Sequence, residues 1–128
     1  MSIDVLIVDD NRFMRQVVAH ALRMTPLDLG AVREAADGAQ ALALVRARPV
    51  GLILLDLVMP VLDGEGFLAT LRGDPDRAAT PVVVVTSDTH ADRRDRLRAL
   101  GAQVVGKPFT PEELVAALAI LGVHHDGP

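Results

Sequence analysis

Residues 52–56 read LILLD: four aliphatic side chains in a row, then a carboxylate. A strand with one wet face alternates apolar and polar residues. This one does not, so both of its faces must be covered. That pattern belongs to a parallel sheet packed between helices. Two further runs have the same form, IDVLIVDD at 3–10 and PVVVVTS at 81–87. Each apolar run stops at polar side chains. An isolated buried carboxylate is costly, so Asp56 marks where its strand leaves the core.

The intervening segments change period. NRFMRQVVAHALRM (11–24) places Phe13, Val17, Ala21 and Met24 at helical spacing, with Pro26 just beyond. AVREAA (31–36) reads as a weaker strand. DGAQALALVRAR (37–48) reads as a helix with Asp37 as N-cap and Gln40 three residues on. Residues 64–73 form a short helix with Phe67, Leu68 and Leu71 on one face. Residues 91–101 form a thin one anchored by Leu97 and Leu100 and ended by Gly101. QVVG (103–106) is a minimal fifth strand. Residues 110–122 carry Thr110 as N-cap, Pro111 at the first helical position and a stripe of Leu114, Leu118 and Leu121. The chain therefore alternates strand and helix five times. The expected fold class is α/β, one domain over 1–122 with a frayed tail at 123–128.

Composition narrows the function. Half of the 128 residues are apolar, and the only aromatics are three phenylalanines, so the core is aliphatic. A net charge of −4 gives no basic footprint for nucleic acid or an anionic membrane. The absence of cysteine excludes disulfides and thiolate metal sites. With no signal-like start and no long apolar run, a cytoplasmic protein is expected. The run DRRDRLR (92–98) interleaves acids with its arginines and reads as a solvated helix face.

In open α/β sheets, ligands bind beyond the carboxyl ends of the strands. Those ends carry Asp9 and Asp10, then Asp56, then Thr86 and Ser87, then Lys107 and Pro108. The end of the second strand carries only alanines. The polar ends become neighbours if that strand lies at the edge, in the order 2-1-3-4-5. Asp9 and Asp10 could instead cap the first helix. Brought together, however, three carboxylates repel one another unless a cation intervenes. Mg²⁺ takes one or two carboxylates, waters and a phosphate. Lys107 and Thr86 offer a point charge and a hydroxyl to phosphoryl oxygens. An aspartate can itself be the nucleophile, and Asp56 sits on the strand expected at the centre.

These residues give the chain a marked resemblance to the receiver domains of two-component response regulators, in particular single-domain chemotaxis regulators. The matching motifs are VDD (8–10), DLVMPVLDG (56–64), VVVTS (83–87) and KPF (107–109), and the likeness covers about residues 3–121. It implies a flavodoxin-like, doubly wound five-stranded parallel sheet in the order 2-1-3-4-5. It implies that Asp56 accepts a phosphoryl group from the phosphohistidine of a sensor histidine kinase or histidine phosphotransfer protein, or from acetyl phosphate. Asp10 and Asp56 would bind Mg²⁺ with the Val58 carbonyl, and Asp9 mainly through water. Thr86 and Lys107 would contact the phosphoryl oxygens. Pro60 and Gly64 match the loop after the acceptor, and the Lys107–Pro108 bond would be cis. Val58 and Asp88 stand where dephosphorylation rate is tuned.

The sequence departs from that pattern at Val104, where the family commonly has Tyr or Phe. A weaker or different rearrangement of the output face follows. Such a protein turns over no external substrate and is not an enzyme in that sense. If the chain is complete, its output is contact with an unidentified partner protein. Alternatives are a phosphorelay intermediate, a receiver excised from a longer protein, or a Mg²⁺-dependent phosphatase with an aspartate nucleophile. The last usually carries its acids as DxD on the first strand, whereas Asp9 and Asp10 are adjacent here.

Overall fold

The computed structural model describes residues 2–59, 61–87 and 90–123. The chain runs β1 (Ile3–Val8), α1 (Arg12–Arg23), β2 (Leu29–Ala35), α2 (Gly38–Ala47), β3 (Leu52–Leu55), α3 (Gly64–Arg72), β4 (Val82–Thr86), α4 (Ala91–Ala99), β5 (Gln103–Gly106) and α5 (Pro111–Ile120). All strand pairs are parallel, and the order is β2-β1-β3-β4-β5. LILL is the central strand, buried along its whole length.

Successive strand residues point to opposite faces, and both faces are closed. Leu6, Val8, Ile53, Leu55, Val82 and Val84 pack with residues of α2, α3 and α4. Val5, Ile7, Leu52, Leu54, Val83 and Val85 pack with residues of α1 and α5. This is why the runs lack polar alternation. Each fully buried aliphatic side chain contributes about 1.5–3 kcal/mol relative to exposure. No helix among the described residues is long and apolar enough to cross a membrane.

Helix α1 corrects the sequence reading. Phe13 and Met24 are exposed and Val17 is partly so, whereas Val18, Ala19, Ala21 and Leu22 are buried. Val18 and Leu22 form a second i, i+4 series one residue out of phase with the first. Periodicity fits both series, and docking on the sheet selects between them. The cap differs too. Asn11 closes the N-terminus, its side chain accepting from the Met14 amide at 3.0 Å. Asp9 and Asp10 therefore do not serve as the cap.

Strand β2 begins two residues earlier than expected. It is only half-buried, as an edge strand is. The caps Asp37 and Thr110 form as expected, accepting from the Gln40 and Glu113 amides at 2.7 and 3.2 Å. Gly101 and Gly122 end their helices in the left-handed region, at φ +80° and +77°. Val123, assigned above to the tail, is buried, and its amide donates to the Leu118 carbonyl at 2.8 Å. Two arginines finish α2: Arg33 donates to the Leu44 and Arg48 carbonyls, and Arg77 to those of Val45 and Arg46. The Leu44 carbonyl also accepts from the Arg48 amide; the last carbonyls of a helix run out of helical partners, and cations suit that end of the dipole.

Candidate functional site

The sheet's hydrogen-bond ladder extends one rung past three of the strands. The Asp9 amide donates to the Ala35 carbonyl at 3.1 Å, the Asp56 amide to Val8 at 2.9 Å, and the Lys107 amide to Thr86 at 2.8 Å. The backbones of these three residues are therefore fixed by the sheet, while their side chains stand beyond it. Thr86 is itself the last residue of β4, paired in register with Gly106.

Asp9, Asp10 and Asp56 converge, offering carboxylate oxygens that all lie within 4.8 Å of one another. Asp9 is buried, Asp56 half-buried and Asp10 exposed. Lys107 Nζ stands 3.5 Å from Asp9 Oδ2 and 3.4 Å from Asp56 Oδ1. Asp9 Oδ1 accepts from the Asn11 amide at 2.9 Å, so both Asp9 oxygens have protein partners. Asp56 Oδ1 also accepts from the Leu57 amide at 2.9 Å. Burial raises the Asp56 carboxyl above its usual value; Lys107 opposes the shift and Asp9 adds to it. Three hard oxygen donors, two of them sharing one ammonium and the third, Asp10, open to solvent, suit a divalent cation that keeps some of its waters.

The loop after Asp56 is held by Gly64. Its amide donates to the Leu57 carbonyl at 2.9 Å, and a Cβ there would collide with the Asp56 carbonyl and the Leu57 Cα. The Lys107–Pro108 peptide bond is cis. Val58 lies two residues past Asp56 on exposed chain. Val104 pairs with Val84 and packs, partly buried, against the core beneath α4. Pro60 and Asp88 lie outside the described residues.

The sequence reading missed two features of the site. Arg15 on α1 donates to the Asp9 carbonyl at 2.7 Å and pairs with Glu34 of β2 at 2.8 Å, tying the acidic loop to its neighbours. No local pattern marks that contact. Val61 has φ +70°, which a β-branched residue rarely adopts. The left-handed conformation costs such a residue about 1–2 kcal/mol, and asparagine tolerates it better. Val61→Asn should therefore raise stability by about 1 kcal/mol, read as a higher denaturation midpoint with an unchanged m-value. An unchanged or lower midpoint would contradict this.

Residues 5–119 match the family model of the response regulator receiver domain. A probable chemotaxis protein CheY of Rhizobium etli is 35% identical over 123 residues, covering 94% of each chain. Four other curated relatives are longer, and this chain spans 29–51% of their length. Among solved structures, the chemotaxis response regulator CheY4 of Vibrio cholerae superposes with a TM-score of 0.81 at 33% identity, covering 94% of this chain and 99% of that one. The bacteriophytochrome response regulator AtBRR does so at 0.85 and 29% identity, covering 100% and 98%.

Proposed function

The chain belongs to the response regulator receiver family, and on that basis we propose that it is a signalling switch whose acceptor is Asp56. The observation that carries this reading is the Lys107 ammonium, shared between Asp56 and Asp9 beside a three-carboxylate cluster. A carboxylate oxygen of Asp56 attacks the phosphorus of a phosphohistidine on a sensor kinase or histidine phosphotransfer protein. The new O–P bond makes an acyl phosphate as the P–N bond breaks, and the electron pair leaves with the imidazole. Lys107 holds one phosphoryl oxygen electrostatically, and the Thr86 hydroxyl donates to another. Mg²⁺ supplies charge neutralisation for the phosphoryl oxygens when bound. Asp10, Asp56 and the Val58 carbonyl would hold it directly. Asp9, with both oxygens engaged by Asn11 and Lys107, would act mainly through water.

The switch works in the cytoplasm, turns over no external substrate and passes its signal to a partner protein by surface contact. Val58 and Asp88 tune the lifetime of the acyl phosphate, and Pro108 shapes the loop after Lys107. The deciding experiment is acetyl phosphate plus Mg²⁺, followed by intact-mass measurement. One phosphoryl group per chain is expected. No gain, under conditions that preserve acyl phosphates, overturns the reading.

Mg²⁺ binding is expected to stabilise the native state, by about 2.7 kcal/mol at a hundredfold excess over its dissociation constant. Asp10→Asn should lose most of that Mg²⁺-dependent rise in unfolding temperature. An equal rise in the variant would remove Asp10 from the metal site.

A further inference from the structure

Strand β5 carries no aromatic residue, and Val104 is its only branched side chain toward α4. Two residues on, where a side chain would point to the same face, stands Gly106. That bare position is covered from α4. The Arg94 guanidinium lies 3.5 Å from where a Gly106 Cβ would sit, and the Thr86 carbonyl lies 4.0 Å from the same point. Thr86 is the register partner of Gly106. It shares the α4 side of the sheet with Val82 and Val84. A half-buried cation from α4 is thus seated over the last residue of β5, whose register partner is the threonine assigned to the phosphoryl group.

We propose that Arg94 is the positioning residue that relays phosphorylation of Asp56 to α4. The inference rests on Asp56 being the acceptor. A phosphoryl group brings roughly −1.5 to −2 charges in place of one, next to a Lys107 already shared by two carboxylates. Thr86 is drawn toward the new oxygens, space opens above Gly106, and the guanidinium follows the charge into it. Because Arg94 is anchored in α4, its helix moves with it. Charge performs here what a bulky ring cannot, since β5 has none.

The test uses the full chain with Mg²⁺ and beryllofluoride, following amide resonances of α4 and the Arg94 Nε–H by NMR. The variants are Arg94→Met, which keeps the stem and loses the charge, and Arg94→Lys, which keeps the charge. The wild type should show shifts at Arg94 Nε–H and through residues 91–99. Arg94→Met should reduce the α4 shifts by a factor of about two or more, while shifts around Leu57 persist. Arg94→Lys should retain most of the response. Equal α4 shifts in Arg94→Met, or a response lost equally in Arg94→Lys, would overturn the relay. Acetyl phosphate labelling of each variant separates the two levels. Full labelling with unaltered α4 shifts sinks the relay alone, whereas no labelling of the wild type sinks the acceptor and the relay together.

Discussion

Asp56→Asn should gain no phosphoryl group from acetyl phosphate and Mg²⁺, yet in metal-free buffer it should melt above the wild type at neutral pH. The first outcome follows because the amide oxygen is no anionic nucleophile. The second comes from linkage. Burial and Asp9 raise the Asp56 carboxyl above its ordinary value of 3.8 despite the opposing pull of Lys107. A carboxyl whose native pKa lies above its unfolded value stabilises the fold most when protonated. That contribution is complete below the unfolded value and is lost as pH rises through the native one. At neutral pH the wild type has therefore lost it, whereas the neutral asparagine, standing in for the protonated acid, keeps it at every pH. Lys107 keeps its other partner, Asp9, at 3.5 Å in either case. The variant's advantage, a few degrees on the scale of about 2–8 °C per kcal/mol, should shrink toward zero below about pH 4. Added Mg²⁺ should narrow it from the other side by stabilising the wild type. A variant that melts below the wild type at pH 7, or labels fully, would contradict this account.

Gly64→Ala should be severely damaging for a single added methyl. The added Cβ meets backbone, the Asp56 carbonyl and the Leu57 Cα, which cannot rotate away as a side chain can. Relief requires α3 to lift from β3, straining the Gly64–Leu57 hydrogen bond. The cost is about 2–4 kcal/mol, a large share of the stability of an ordinary domain. The Asp56 carboxylate moves with its own carbonyl. Displacement of a reacting group by about 1 Å can cost about a hundredfold in rate, so labelling by acetyl phosphate should slow by about that factor. Urea titration and a labelling time course measure the two effects on one sample. A midpoint within error of the wild type would show that the loop can yield.

What the sequence exposed was set by local rules. The buried strands are legible because a doubly covered strand has no polar residue to alternate. Asp37 and Thr110 are legible because capping is decided within four residues. The site was legible because the strands deliver their last residues to one edge. What stayed hidden depends on long-range packing. The phase of α1 is one case, since Val17 and Val18 offer equally good stripes until the sheet selects the second. The capping role of Asn11 is another, because two aspartates just before it compete on paper. Arg15, Arg33 and Arg77 reach partners set by tertiary packing, up to 32 residues away. Arg94 over Gly106 belongs with them.

The interior is almost purely aliphatic, with Phe67 the only fully buried aromatic side chain among the described residues and neither tryptophan nor tyrosine anywhere in the chain. The molecule is therefore optically dark. It has no tyrosine or tryptophan emission and almost no near-ultraviolet absorbance, so its native fluorescence can report neither folding nor activation. That darkness is useful to an experimenter. Phe13 is exposed on the first turn of α1, three residues beyond Asp10. A tryptophan placed there would be the only emitter in the protein, a lamp at the rim of the acidic cluster against no background at all.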